Sequence, residues 1–184
     1  MTKRTAEEEG EEPCECLPEV KREDLDFYEQ LSTGGYGSVY RALWKSRRKI
    51  VAVKRLFVLE KEANILASIR HRNIIRFYGV CTTHPDFCIV TEFAEKGSLY
   101  HYLASAQNPD LRFEQILAWA VDIAHGVHYL HECAPIPLLH RDLKSKNVVI
   151  CRDDVCKLCD FGTSKPITKT TSQVTMAGTV PWMS

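Results

Sequence analysis

The sequence predicts an α+β fold with a five-stranded sheet and one helix in its first half and a helical region in its second. Short strand-like runs separated by turn signals fill the chain up to about residue 93, and residues 111–131 repeat apolar side chains at helical spacing. Strands that precede helices in this way are typical of α+β domains. With 184 residues, 45% of them hydrophobic, the chain can bury a sizeable core.

Charge and hydropathy limit the partners of the chain. Basic and acidic residues balance at 24 each, so no overall field would attract a nucleic acid. No run of about 18 apolar residues is present to span a membrane, and residues 1–12 are charged, unlike a secretory signal. Residues 1–20 are acidic and contain few large apolar side chains, so we predict a disordered tail there, in a cytoplasmic protein.

Five strand-like segments build the predicted sheet. Two flank a glycine cluster, the third ends at Lys54, and the last two are separated by a polar turn. The segments are residues 25–31, 38–42, 50–53, 73–81 and 87–93. A helix between the third and fourth segments is indicated by Ile65, Leu66 and Ile69, which recur at helical spacing.

Residues 111–131 form the clearest predicted helix. Its apolar stripe consists of Phe113, Ile116, Leu117, Ala120, Val121, Ala124 and Val127. Histidines at positions 125, 128 and 131 suggest a metal site, but without an acidic helper they are more typical of surface or core histidines. We expect Trp119 to pack in the core and not to stack on a ligand.

The cysteines offer an alternative interpretation, a zinc-binding module. Cys156 and Cys159 have the spacing of a zinc or redox knuckle, yet a structural zinc site usually needs a second knuckle or spaced histidines. The alternation of residues 155–159 favours a strand with free cysteines acting as small hydrophobes, and we expect all eight cysteines to be free thiols. Because Cys159 directly precedes Asp160, a candidate site residue, we expect electrophiles to reach its thiol.

The glycine cluster at residues 32–39 has the composition of a phosphate-binding loop. Glycines let the backbone approach closely, so that amide groups can lie over phosphates. The pattern is weak by itself, and a glycine-rich hairpin is the alternative.

Lys54 is expected to have an anionic partner, because it ends an apolar strand and an unpaired charge is costly to bury. Glu62, on the predicted helix, is the first candidate for this partner. Glu60 is the second candidate, and the alternative for either glutamate is a solvated helix face.

Residues 140–147, with the sequence HRDLKSKN, place an acid, a base and an amide on one short turn. Phosphoryl transfer from Mg-ATP to a hydroxyl needs these groups: Asp142 to hold the hydroxyl proton, Lys144 to offset charge on the moving phosphoryl group, and Asn147 as an oxygen ligand for Mg²⁺. Asp160, which begins an Asp-Phe-Gly sequence, is a natural second metal ligand.

These motifs resemble those of eukaryotic protein kinases. The sequences KEANIL, HRNIIRFYGV, CIVTEF, HRDLKSKNVVI, CDFG and GTVPWM are together similar to the mixed-lineage branch of MAP kinase kinase kinases, in the type that carries a leucine zipper and a sterile-α-motif beyond the kinase domain. The resemblance implies a two-lobed fold over residues 21–184. It comprises an N-terminal lobe with an antiparallel sheet at about 21–93, a hinge at about 92–97 and an incomplete helical C-terminal lobe at 98–184.

The resemblance also implies that ATP and Mg²⁺ bind between the lobes. The implied nucleotide contacts are Leu31, Ser32, Gly34, Gly35, Gly37, Val39, Ala52, Lys54, Thr91, Glu92, Ala94 and Val149. The implied catalytic residues are Lys54, Glu62, Asp142, Lys144 and Asn147, and the implied metal ligands are Asn147 and Asp160. Ser32 stands where kinases have the first glycine of the loop. If that position requires a positive φ, serine costs about 1 kcal/mol there.

By the same resemblance, the hydroxyl-rich loop after Asp160 is an activation segment, in which a phosphate would pair with Arg141. The candidate phosphorylation sites are Thr170, Thr171 and Thr175. Lys144 and Thr179 favour serine/threonine specificity. The implied substrates are MAP kinase kinases in stress-activated cascades, with no nucleic-acid or membrane partner.

The kinase family continues with Ala-Pro-Glu where this sequence has Ser184. We therefore expect the helices that cover the apolar stripe of residues 111–131 to be missing from this sequence. Two interpretations follow: an active kinase, or a truncated and inactive nucleotide-binding chain that competes for partners. Dimerisation is expected only through regions absent from this sequence.

Overall fold

The computed structural model describes residues 17–34, 37–56, 60–83, 87–105 and 111–167. Its largest element is a five-stranded sheet in the order β1-β2-β3-β5-β4, in which all neighbouring strands are antiparallel. The strands are β1 (Leu25–Gly34), β2 (Gly37–Trp44), β3 (Lys49–Arg55), β4 (Phe77–Cys81) and β5 (Cys88–Glu92). The predicted five-stranded antiparallel sheet is confirmed.

The central strand β3 shows why the sheet forms. Val51 and Val53 are fully buried in a cluster that also contains Val20 and Leu25. Ala52 and Lys54 alternate with these valines and line the cleft between the sheet and the rest of the chain. A second cluster joins the buried side chains of α1 (Glu60–Ser68) to those of β4 and β5.

Two helices and two short strand pairs follow the sheet. They are α2 (Leu99–Ala104), α3 (Phe113–His128), β6 (Leu138–Leu139) paired with β9 (Lys165–Pro166), and β7 (Val148–Ile150) paired with β8 (Cys156–Leu158). A π-helical turn, Tyr129–Cys133, extends α3, because the amide of Ala134 bonds to the Tyr129 carbonyl at 2.8 Å. Among the described helices, none is long and apolar enough to cross a membrane.

The packed domain begins earlier than the sequence suggested. The predicted tail extends to Val20, yet the Val20 amide bonds to the Val80 carbonyl at 2.7 Å, and the Val80 amide bonds to the Pro18 carbonyl at 2.8 Å. These bonds add a parallel segment to the edge strand β4. The tail boundary at Val20 is therefore wrong, because a long-range pairing that local composition does not encode holds residues 18–20. Residues 1–16 lie outside the described residues.

Helix α3 buries one face and exposes the predicted apolar stripe. Trp119 is only 3% exposed and donates its indole N–H to the Asp154 carbonyl at 2.9 Å, so its predicted packing role is confirmed. Gly126 lies so close to the Asn73 carbonyl that a Cβ there would be 2.9 Å from the oxygen. Most of the stripe is exposed within the described structure, with Phe113 at 73% and Leu117 at 53%.

Four backbone hydrogen bonds attach the β7–β8 hairpin to residues 73–97. The Ile75 amide bonds to the Leu158 carbonyl, and the Leu158 amide bonds to the Asn73 carbonyl, both at 2.9 Å. The Lys96 amide bonds to the Ile150 carbonyl at 3.1 Å, and the Ile150 amide bonds to the Gly97 carbonyl at 2.9 Å. The hairpin therefore fixes the position of the residues before β7 and after β8 relative to the sheet.

Candidate active site

A cleft of about 720 Å³ separates the sheet from the β7–β8 hairpin. Ten of the twelve predicted nucleotide contacts line it: Leu31, Ser32, Gly37, Val39, Ala52, Lys54, Thr91, Glu92, Ala94 and Val149. Gly34 ends β1, and Gly35 lies outside the described residues. The predicted catalytic and metal-binding residues Glu62, Asp142, Lys144, Asn147 and Asp160 line the same cleft.

Lys54 has two carboxylate partners. Its Nζ donates to Glu62 Oε1 at 2.8 Å and Oε2 at 2.7 Å, and to Asp160 Oδ1 at 2.7 Å. Although burial opposes the charged form, these carboxylates raise the pKa of Lys54 above its ordinary value. The lysine is therefore a cation at the inner end of the cleft. The side chain of the other candidate partner, Glu60, lies outside the described part of the helix.

The HRDLKSKN turn brings its three polar groups together. The Lys144 ammonium is 2.6 Å from Asp142 Oδ2, and the Asn147 amide nitrogen donates to the carbonyl and to Oδ2 of Asp142, both at 2.9 Å. A 3₁₀ turn, Ser145–Asn147, folds Asn147 back toward the acid. Asp142 is only 7% exposed, so these bonds hold its carboxylate in one orientation.

His140 anchors this turn to the residues around Asp160. Its Nε2 lies 3.0 Å from the Cys159 carbonyl, and the Asp142 amide points to its Nδ1 at 3.4 Å. Burial lowers the pKa of His140, despite the opposing effect of the Cys159 carbonyl, so the imidazole is neutral and donates through Nε2–H. Its ring packs against Phe161 at a centroid separation of 5.0 Å.

Asp160 and Asn147 are placed as a pair by backbone geometry. The Cys159 amide donates to the Asn147 carbonyl at 3.0 Å, and Asp160 has a left-handed φ of 66°, which turns the chain after β8. Both side chains line the cleft. One carboxylate and one amide oxygen suit Mg²⁺, which takes few protein ligands and completes its shell with water and phosphate oxygens. The donor set therefore fits the predicted ion.

The end of β5 carries an ion pair that the sequence pattern did not reveal. Glu92 Oε1 accepts the Lys157 ammonium and the Arg76 amide, both at 2.7 Å. The Lys157 side chain is 15% exposed and the Glu92 side chain is 17% exposed. The pair connects the hinge directly to β8. No local signal marks it, since the two residues lie on separate elements far apart in sequence.

Comparison with known proteins identifies the fold. A family model described as "Protein tyrosine and serine/threonine kinase" matches residues 25–184. This chain belongs to the protein kinase family. The mitogen-activated protein kinase kinase kinase zak-1 of Caenorhabditis elegans is 44% identical over 179 residues, which cover 91% of this chain and 24% of the relative.

Other relatives of this kinase carry similar names. The mitogen-activated protein kinase kinase kinase dlk-1 of Caenorhabditis elegans is 40% identical, covering 100% of this chain and 19% of the relative. The human mitogen-activated protein kinase kinase kinase 10 is 36% identical, covering 90% of the chain and 19% of the relative. The resemblance to mixed-lineage MAP kinase kinase kinases is confirmed. The chain spans about a fifth to a quarter of the length of these relatives.

The glycine loop of the kinase departs from the prediction at Ser32. Ser32 pairs with Val39 in the β1–β2 ladder, and among the described non-glycine residues a positive φ occurs only at Arg48, Arg141, Asp154 and Asp160. Ser32 therefore does not have the positive φ that would have made serine unfavourable at this position. Gly37 is the constrained residue, because it has φ 136° and a Cβ there would be 2.0 Å from the Arg55 carbonyl oxygen.

The cysteines of the β8 region are free thiols, of which Cys156 is buried and Cys159 is partly buried where it lines the cleft. Cys156 lies in β8 with no exposed surface, and burial raises its pKa to about 12. Burial also raises the pKa of Cys159 to about 12. Within the described ranges, no group of three or more histidine, cysteine or acidic side chains is placed to hold a metal ion. Because thiolates are the zinc ligands, these raised pKa values disfavour the zinc interpretation.

Several predicted residues cannot be placed. Thr170, Thr171, Thr175 and Thr179 lie outside the described residues. Arg141, their expected partner, is described and has a left-handed φ of 67° beside Asp142.

Proposed function

We propose that this chain is the catalytic part of an ATP-dependent serine/threonine kinase of the MAP kinase kinase kinase type, which phosphorylates MAP kinase kinases. One observation carries the proposal: the Lys54–Glu62–Asp160 cluster and the Asp142–Lys144–Asn147 cluster line a single cleft. Phosphoryl transfer needs a cation for the phosphates and a hydroxyl-directed base in the same cleft.

The cleft walls suit a nucleotide. Val39 and Ala52 from the sheet and Val149 from β7 supply apolar surfaces on both sides of a flat base. The backbone of Glu92 and Ala94 offers hydrogen-bonding groups at the edge of that base. Thr91 lines the wall beside them, and its small side chain leaves more depth there than leucine or phenylalanine would.

The inner end of the cleft suits the phosphates. Lys54 is held by Glu62 in a position to contact phosphate oxygens, and the raised pKa keeps it charged. Asp160 and Asn147 would hold Mg²⁺. When bound, this ion neutralises charge on the transferring phosphoryl group. The contact from Lys54 to Asp160 at 2.7 Å supports the proposal that the cation and the metal-binding carboxylate act on neighbouring phosphate oxygens.

The catalytic turn suits the hydroxyl of a protein substrate. Asp142 accepts the hydroxyl proton, and its carboxylate is oriented by Asn147. Lys144 contacts the carboxylate in the described structure and lies where it offsets charge developing on the phosphoryl group. Serine/threonine specificity is supported by Lys144 and Thr179, and the substrate class by the names of the relatives.

Regulation by phosphorylation belongs to the same proposal. We place the activating phosphate on Thr171 or Thr175, with Thr170 as a further candidate, and Arg141 as its partner. The proposed setting is a stress-activated cascade in the cytoplasm.

A second candidate function is an inactive nucleotide-binding chain that competes for partners. The exposed apolar stripe of α3, which includes Phe113 and Leu117, favours it because such surface promotes association. Nucleotide binding without phosphate transfer by the wild-type chain would support this candidate.

Phosphate transfer to a purified MAP kinase kinase tests the proposal. Lys54→Met and Asp142→Asn should each lower kcat/KM by a factor of about 10² or more. Lys21→Met, at an exposed position, is the matched control and should leave the rate unchanged. Equal transfer by all four proteins would refute the assigned roles.

A further inference from the structure

The turn between β2 and β3 is the most basic exposed segment of the described chain. Lys45, Arg47, Arg48 and Lys49 fall within five residues and are all exposed. Lys45 has a 3.5 Å ion pair with the exposed Asp26. Arg47 lies over the Trp44 ring at 5.5 Å from its centroid, so it has an aromatic contact.

The remaining two cations of this basic turn face a cleft behind the hinge. Arg48 and Lys49 line a cavity of about 620 Å³, which also contacts Arg41 on the sheet side. Lys49 bonds to the Tyr78 hydroxyl, and Arg48 has no acidic partner among the described residues. Arg41, by contrast, has a 3.3 Å ion pair with Glu29, so the incompletely compensated positive charge of this cleft lies on Arg48 and Lys49.

Acidic residues on the hinge side of the cleft are already mostly paired. Glu92 binds Lys157 at 2.7 Å, and Glu95 lies 3.5 Å from Arg152. Asp153 also lines the cleft and is exposed. An acidic occupant would therefore be attracted to the basic turn and to the sheet-side wall.

The chain itself contains such an occupant. Residues 1–16 contain six glutamates, five of them within residues 7–12, against Lys3 and Arg4. This segment joins the described chain at Leu17. Glu19 bridges Val80 in a parallel sense, so the segment begins near the edge strand β4, which also carries the tyrosine that contacts Lys49.

The acidic residues are connected to the described chain by a short tether. Residue 12 is five residues before Leu17, so an extended chain spans up to about 17 Å between them, and residue 7 reaches about 35 Å. A tether of this length gives an effective concentration in the millimolar range. Several weak ion pairs are then sufficient for docking.

We propose that the basic turn is a docking site for the acidic segment of the same chain, residues 7–12, which lies along the turn and the sheet-side wall of the cleft behind the hinge. This inference does not depend on the proposed kinase activity. The proposal assigns a role to the two most strongly and oppositely charged short segments, residues 7–12 and 45–49.

Zero-length carbodiimide cross-linking of the full chain tests the proposal, because it joins a carboxylate to an amine only when the two are in contact. Cross-linked peptides are identified by mass spectrometry. We expect glutamates 7–12 to couple to Lys45 and Lys49 more than to Lys21, Lys96 or Lys165. Raising the salt to about 1 M should reduce the yield at least about threefold, since the Debye length falls to about 3 Å.

The matched variants separate charge from proximity. Arg47→Gln/Arg48→Gln keeps both lysine acceptors and should lower the yield at least about threefold. Arg70→Gln/Arg72→Gln removes two exposed cations elsewhere and should leave the yield unchanged. Thermal melting of each variant confirms that it is folded.

Two results would overturn the proposal. One is a cross-linking yield that is similar at all exposed lysines, or that is the same in the Arg47→Gln/Arg48→Gln variant as in the wild type. The other comes from a mixture of unlabelled and ¹⁵N-labelled chains: cross-links of mixed mass would assign the acidic segment to the turn of a second copy and not to its own chain.

Discussion

Replacing Lys157 by methionine tests whether the ion pair with Glu92 holds the hinge. The change keeps most of the apolar stem and removes the ammonium group 2.7 Å from Glu92 Oε1. The Arg76 amide still donates to the same oxygen at 2.7 Å. Glu92 is thereby left as a largely buried carboxylate with one hydrogen bond and no cation.

The expected cost lies between two limits. Removing one partner of a fully buried ion pair costs about 3–5 kcal/mol, whereas an exposed pair contributes about 0.2–1 kcal/mol. Side-chain exposures of 15% and 17% place this pair between the limits, nearer the buried one, and the remaining Arg76 bond reduces the loss. We expect Lys157→Met to lower the free energy of unfolding by about 2 kcal/mol and the melting temperature by about 4–8 °C.

Urea unfolding and nucleotide titration provide the assay. Glu92→Gln in the Lys157→Met background should recover about half of the lost stability, because no unpaired charge then remains. The dissociation constant for a non-hydrolysable ATP analogue should rise about three- to tenfold in Lys157→Met, since binding must reorder the loosened hinge. A stability within about 0.5 kcal/mol of wild type would refute the argument, as would a double variant less stable than the single one.

Three further predictions follow from individual contacts. Gly126→Ala should lower the free energy of unfolding, measured in urea, by about 1–3 kcal/mol, because the Cβ would lie 2.9 Å from the rigid Asn73 carbonyl. A higher free energy of unfolding in the alanine variant, as expected at an unconstrained helix position, would contradict this. With iodoacetamide at pH 8, Cys159 should react more slowly than the exposed Cys133, since Cys159 is partly buried and burial raises its pKa to about 12. Labelling of both cysteines at an equal rate would contradict this and would instead favour the reactive Cys159 expected from the sequence. His140 has a lowered pKa in the folded state, so its contribution to stability is complete above about pH 6.5 and is lost as the pH falls toward the folded value. His140→Gln should flatten the stability profile between about pH 5 and 7, and an unchanged slope would exclude His140 as the cause.

Local patterns predicted the elements better than the contacts between them. The sequence predicted a carboxylate partner for Lys54, because burying an unpaired charge is costly. That energetic cost follows from the apolar strand around Lys54 alone, so it can be recognised from local sequence. The second partner, Asp160, could not be deduced from the pairing requirement, since it lies 106 residues away. The pairing of residues 18–20 with β4 was missed for the same reason, since partner choice at a sheet edge leaves no periodic signal.

Backbone conformation was also beyond local prediction at the site. The left-handed φ values of Arg141 and Asp160 lie in a region that non-glycine residues adopt rarely. Sequence alone directed attention to Ser32, which is extended in the structure. Strain is thus located within the HRDLKSKN turn, at Arg141, and after β8, at Asp160, where the surrounding contacts determine the backbone.

The β7–β8 hairpin sets the spacing of the two candidate metal ligands. Asn147 immediately precedes β7, and one residue, Cys159, separates β8 from Asp160. The pairing of Val148 with Leu158 and the 3.0 Å bond from the Cys159 amide to the Asn147 carbonyl fix the register. A shift of one residue would turn one ligand to the opposite face. The same hairpin bonds to the hinge through Ile150. The ligand spacing and the hinge position therefore share one support, so a change in the hairpin core should alter nucleotide and metal binding together.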